Sequence, residues 1–197
     1  MRHDDIRDTT ADILTEICPS VSIELTLQPL MGEQLQLLTA NTEDEARADS
    51  CAQGFWGNKQ QRAFFDLWVF NPLAPSYCKS SLTTVYRRNE NEKRRAYEQR
   101  IIEIEHGSFT PLVLSATGGM GQAAAMAYKR MASLLAEKRG QPYCRTMGWL
   151  RCVLNFSLIR SAIQCIRGAR SARHRPGRLS LESPIDVAAE ESRISGY

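Results

Sequence analysis

Asp66 is the carboxylate this chain has least reason to place where it does. It lies within RAFFDLWVF (62–70), preceded by Phe64 and Phe65 and followed by Leu67, Trp68, Val69 and Phe70. A carboxylate buried in such a run costs several kcal/mol unless a partner or a bound ion compensates it. A second acid, Asp49, lies in ARADSCAQGFW (46–56). If these two stretches pair as a hairpin, Asp49 and Asp66 come near each other. Carboxylates sharing a partly buried site repel unless a cation sits among them. Hard oxygen ligands with open water positions suit Mg²⁺ or Mn²⁺. Such an ion activates water and stabilises charge on a phosphodiester, which is metal-assisted hydrolysis. Glu24, on the polar side of VSIELTLQ (21–28), could complete the cluster with Asp8 or Asp12. The plainer alternative is an Asp satisfied by backbone amides or by a basic side chain.

The elements that must position these acids follow from periodicity. Ile6, Ile13, Leu14 and Ile17 fall on one side of a helix over 3–17, stopped by Cys18-Pro19. Val21, Ile23, Leu25 and Leu27 alternate with polar residues, the pattern of a half-buried strand. A second strand is expected over 46–53. A third, over 62–70, carries apolar residues on both faces and reads as a central strand covered on both sides. Asn71-Pro72 ends it, and a loop runs to about residue 82. The charged stretch 88–105 reads as a helix with Tyr97, Ile101 and Ile104 as its apolar stripe. SFTPLVLSA (108–116) reads as a fourth strand, and TGGMG (117–121) turns into a helix over 122–138 with Ala127, Met131, Leu134 and Leu135 inward. A last helix, 145–167, carries Met147, Leu150, Leu154, Leu158, Ala162 and Cys165 at spacings of three and four. Three strands, a crossing helix and a fourth strand make an α/β fold with a mixed sheet flanked by helices. The division expected is a core over 1–143, a C-terminal helix over 144–168 packed on it, and a tail over 169–197, Arg-rich and then acidic, without periodicity and expected to be disordered.

Composition bounds the classes. The 197 residues fit one domain with room for a tail, and 43% hydrophobic with 24% charged content is ordinary for a soluble globular protein. Six cysteines without CxxC spacing read as reduced thiols of an intracellular protein and argue against a zinc site. The polar, acidic N-terminus is not a secretory signal. Arg151 and Arg160 interrupt the most apolar stretch, 147–166, and argue against a membrane span. The net charge of +3 is uneven: residues 1–57 are acidic, and 140–180 hold arginines and no carboxylate. That asymmetry favours a polyanionic partner.

The order αβββαβ, with an Asp on the second strand and another on the third, resembles the PD-(D/E)XK restriction-endonuclease-like fold. More narrowly, several blocks resemble the restriction-like endonuclease region of non-LTR retrotransposon reverse-transcriptase-like proteins. They are RHDDIRD (2–8), LQPLMGE (27–33), ARADSCAQGFW (46–56), AFFDLWVFNPLAPS (63–76), YEQRIIEIEHGSFTPLVLSATGGMG (97–121) and MASLLAEKRGQPY (131–143). The resemblance implies target-DNA nicking by a Mg²⁺- or Mn²⁺-dependent endonuclease in the nucleus. Asp49 matches the aspartate of the "PD" pair, although Ala48 replaces the proline, and Asp66 matches the acid of the third strand. The motif's basic residue belongs two positions later, where this chain has Trp68. In this nuclease group a Lys from the following helix can stand in, which points to Lys93, with Tyr97 one turn on. In that family a Cys/His zinc knuckle and a polymerase region precede RHDDIRD; no residue here matches either, so no polymerase activity is implied.

Two further features bear on nucleic acid. Arg87, Arg88, Lys93, Arg94, Arg95 and Arg100 cluster on the charged helix, a solvated face or a sequence-blind phosphate-positioning patch for DNA, with RNA as the alternative. Gly118 and Gly119 could offer backbone amides to a phosphate at a helix N-terminus. The plainer reading is a tight turn, and without the Lys-Ser/Thr of a P-loop nucleotide binding is not expected. The Trp68 departure leaves a catalytically inactive nuclease-fold module that binds DNA or RNA as the rival reading.

Overall fold

The structure, a computed structural model, describes residues 4–28 and 47–167. Its elements run α1 (Asp4–Ile17), β1 (Val21–Thr26), β2 (Arg47–Gln53), β3 (Arg62–Phe70), α2 (Leu82–Glu103), β4 (Ser108–Ser115), α3 (Gln122–Arg139) and α4 (Tyr143–Arg167). The four strands form one open sheet in the order β1-β2-β3-β4. β1 and β3 both run antiparallel to β2, while β4 runs parallel to β3. A parallel pair requires a crossover, and α2 supplies it. The sheet is therefore mixed, and the fold is α/β as the order of elements implies. The expected tail over 169–197 lies outside the described residues.

Alternation along β3 separates two environments. Ala63, Phe65 and Leu67 point to one face, where they join Ile6, Ile13 and Leu14 of α1, Ala127, Tyr128 and Met131 of α3, and Leu150, Leu154 and Leu158 of α4 in one continuous core. Phe64, Asp66, Trp68 and Phe70 point to the other, which α2 covers. Apolar packing there is split in two. Phe64 packs with Leu27, Ala48, Cys51, Ile101 and Phe109, and Phe70 packs with Val85, Tyr86 and Val113. Asp66 sits between these clusters along the strand.

Several boundaries differ from expectation for local reasons. α2 begins at Leu82, six residues early, because Ser81 caps it: its hydroxyl accepts a hydrogen bond from the Thr84 amide at 3.3 Å. Its inner stripe consequently includes Val85, Tyr86 and Asn89 as well as Ile101, while Ile104 is the C-cap. β1 ends at Thr26, and the alternation predicted for it fails at Ile23, which is 45% exposed. β1 is an edge strand, and the backbone of Glu24 adopts a positive φ of 52° that breaks the pleat. On α4, Ser161 is buried where Ala162 was expected. The cysteines at 18, 51, 78, 144 and 152 are all free thiols. Among the described residues no helix is long and apolar enough to cross a membrane.

Candidate functional site

Asp66 is buried, with 4% of its surface exposed, and its compensation is a lysine. The Lys93 ammonium lies 2.5 Å from Asp66 Oδ2. The pair bridges the middle of β3 to the middle of α2, in the gap between the two apolar clusters. Lys93 gets there because Tyr86, Asn89, Lys93 and Tyr97 recur at spacings of three and four, so one helical stripe faces the sheet. Burial pulls the Lys93 ammonium down, but Asp66, Tyr97 and Asp49 outweigh that and hold it above the ordinary lysine value. Burial and the Asp66 charge push the Tyr97 phenol up, so it remains protonated at neutral pH.

Asp49 reaches the same place from β2. The β2–β3 ladder pairs Cys51 with Phe64 and Ser50 with Phe65, and one further step sets Asp49 across from Asp66. The ladder stops there. The Leu67 amide, which a continued ladder would give to Ala48, donates instead to Asp49 Oδ2 at 2.6 Å. The strands part at this point, and a side chain closes the seam.

Trp68, the residue at odds with the nuclease motif, lies under the lysine. Lys93 Nζ sits 4.9 Å from the Trp68 ring centroid and 5.5 Å from that of Tyr97. Both rings present their negative faces to the ammonium. An aromatic at position 68 thus forms part of the seat of an amine delivered by the next helix.

Other predicted site residues lie elsewhere. Glu24 is half exposed and ion-paired with Arg7 of α1. Asp8 also pairs with Arg7, at 3.0 Å, and α1 packs on the face opposite Asp66, so neither Asp8 nor Asp12 joins Asp49. Among the described residues no group of three or more His, Cys, Asp or Glu side chains is arranged for a metal. The four-acid cluster is therefore reduced to two members, Asp49 and Asp66. The basic residues of α2 also divide. Seven residues apart, Arg88 and Arg95 share an exposed stripe roughly opposite Lys93. Arg87 and Arg94 share a flanking stripe. Arg94 pairs with Glu98 at 2.6 Å and, with Glu90, Trp56, Thr110 and Met126, lines a separate open pocket of about 270 Å³.

The glycine turn is closed in on itself. The Gly118 amide donates to the Ser115 carbonyl at 3.0 Å, and the Gly119 amide to the Ser115 hydroxyl at 2.9 Å. These amides are spent within the turn rather than offered to a phosphate. Gly118 has a φ of 90°, which only glycine adopts easily. The N-terminus of α3 is also taken: Glu90 of α2 accepts the Ala123 amide at 3.0 Å. A Cβ on Gly121 would stand 2.3 Å from that carboxylate. Sequence reading missed this cap, because its acid comes from 33 residues upstream.

Comparison with family models and with curated proteins returned no match for this chain.

Proposed function

We propose that this chain is a Mg²⁺- or Mn²⁺-dependent DNA endonuclease domain of the PD-(D/E)XK type, related to the restriction-like nuclease region of non-LTR retrotransposons and acting in the nucleus. The observation that carries the reading is the convergence of Asp49, Asp66 and Lys93 at one gap, each from a different element and all on hydrogen-bonding scaffolds. The αβββα order of the chain and its mixed sheet accord with that fold.

The residues present fit a hard divalent cation with few protein ligands. Asp49 and Asp66 would hold it, leaving the remaining positions to water and phosphate oxygen, the arrangement Mg²⁺ favours. When bound, the ion supplies Lewis-acid activation of water and of the phosphodiester. The chain's own groups do the rest. Lys93 holds its positive charge beside Asp66 and can meet developing charge on a phosphate. Removing such a cation typically costs orders of magnitude in rate. Tyr97, kept as a phenol, can donate a hydrogen bond there. Arg87, on the flank of α2, is placed to position the phosphate backbone.

Nicking of a supercoiled plasmid, with and without Mg²⁺, tests the reading. Full-length protein is expected to nick only with the metal, and Asp66→Asn to lose at least a hundredfold in rate. Equal nicking by both would overturn it. Two observations favour a second reading, an inactive module that holds nucleic acid: position 68 is tryptophan, and Lys93 is already neutralised by Asp66. That reading predicts salt-dependent DNA affinity without turnover.

A further inference from the structure

The α2 face that holds Asp66 and Lys93 also holds buried groups able to donate that have no hydrogen-bond partner, the Tyr86 hydroxyl and two N–H groups among them. The indole Nε1 of Trp68 is buried and has no partner, and neither has the side-chain Nδ2 of Asn89. Asn89 is 3% exposed, so solvent does not serve it. Buried donors are almost always satisfied, and those that are not mark a strained, functional or ligand-binding position. The two residues belong to one place. Trp68 follows Asp66 by two on β3, on the same face, and lies beneath Lys93. Asn89 precedes Lys93 by four on α2, one turn away on the same stripe, next to the Tyr86 and Val85 side chains of the cluster against which Trp68 packs.

Each of the side chains can donate. An indole N–H only donates, a carboxamide NH₂ donates twice, and an ammonium donates three times. Of the two carboxylates that converge here, Asp66 is engaged by Lys93 and Asp49 accepts the Leu67 amide. The Lys93 charge is shared with Asp66, so the unpartnered groups beside it are neutral donors; an oxyanion oxygen would accept from them, and a phosphodiester offers two non-bridging oxygens. We propose that Trp68 and Asn89, beside Lys93, form a phosphate-oxygen pocket in which the indole N–H occupies the role left empty by the missing strand cation. This inference rests on the nuclease reading for the identity of its ligand as a DNA phosphate. It alters the meaning of the Trp68 departure: a charged contact gives way to a neutral hydrogen bond plus a ring that seats the lysine from α2.

The indole N–H is its own probe. In the full chain labelled with ¹⁵N, the Trp68 indole signal is assigned by its disappearance in Trp68→Phe, which leaves those of Trp56 and Trp149. Inorganic phosphate is then titrated without divalent metal, at constant ionic strength held with chloride. A saturable downfield shift of the Trp68 signal, with the midpoint raised fivefold or more in Asn89→Leu, is the expected result. An unmoved Trp68 signal overturns the pocket, as does a midpoint unchanged in a folded Asn89→Leu protein. Should Asn89→Leu fail to fold, the wild-type titration still decides, since a water-filled gap gives no saturable response to phosphate over chloride. The nuclease reading fails separately. Phosphate binding without plasmid nicking would overturn turnover and keep the pocket, whereas nicking with a silent indole would do the reverse.

Discussion

The two faces of the sheet solve the same problem differently. On the face covered by α1, α3 and α4, one uninterrupted apolar core runs from Ile6 to Leu158. Under α2, the apolar packing is broken at its midpoint by Asp66, Lys93, Asn89 and the edge of Trp68. A continuous core is the cheaper way to fix a helix on a sheet, since dispersion and burial need no geometry. A buried ion pair has to offset the desolvation of both charges, and replacing it with apolar groups is often neutral or stabilising. The difference is the reason the proposed nuclease reading is built on the α2 face.

The comparison can be broken by substitution. Phe65→Ala on the first face and Asp66→Ala on the second should each cost about 3–5 kcal/mol in denaturant unfolding, one through a cavity and the other through a lysine left buried and unpaired. The faces part company in the compensated variant: Asp66→Leu with Lys93→Met should regain the loss, whereas no single partner restores Phe65→Ala. Failure of the double variant to recover would mean that the pair stabilises α2 beyond its charge. Asp49→Ala should cost about 1–3 kcal/mol by orphaning the Leu67 amide, measured in the same unfolding experiment.

Alkaline titration sharpens the contrast next. Burial pushes the Cys51 thiol up to about 11, and Lys93 and Tyr97 are likewise raised. A group whose folded value is raised contributes stability that is complete below its unfolded value and disappears as the pH passes through its folded value. Stability should therefore be level near neutrality and decline from about pH 9 upward. Cys51→Ala should flatten the part between pH 9 and 11, which is read from unfolding midpoints across that range. The smallest effect belongs to Glu24→Gln. Its exposed ion pair with Arg7 is worth about 0–1 kcal/mol, and plasmid nicking should not change. A tenfold loss of nicking would restore Glu24 to the site.

Much of this architecture was legible in the residues. The αβββαβ order and the central position of β3 follow from patterns that are local in sequence, whereas only the nuclease resemblance points to Lys93, as a cation for phosphate and not as the partner of Asp66. The oddity of Asp66 announces that something compensates it, for which the residues alone suggest a metal ion shared with Asp49 or a basic side chain. What escaped reading is long-range or conformational. The positive φ of Glu24 turns its side chain toward Arg7, and no alternation pattern shows that. The extent of α2 was hidden because Leu82 to Arg87 is a weak helical stretch, identified only by the Ser81 cap. The burial of Asn89 was invisible, since a polar side chain on a charged helix looks solvated until the helix is seated on the sheet.

The carboxylate of Glu90 has a consequence for motion. By accepting the Ala123 amide, it fastens the helix that carries Lys93 to a helix of the opposite face, around the open edge of β4. Any swing of α2 away from α3 has to undo that bond first. Hydrogen exchange at the Ala123 amide is then a clock for α2: slow while the helix stays seated, and fast whenever it lifts.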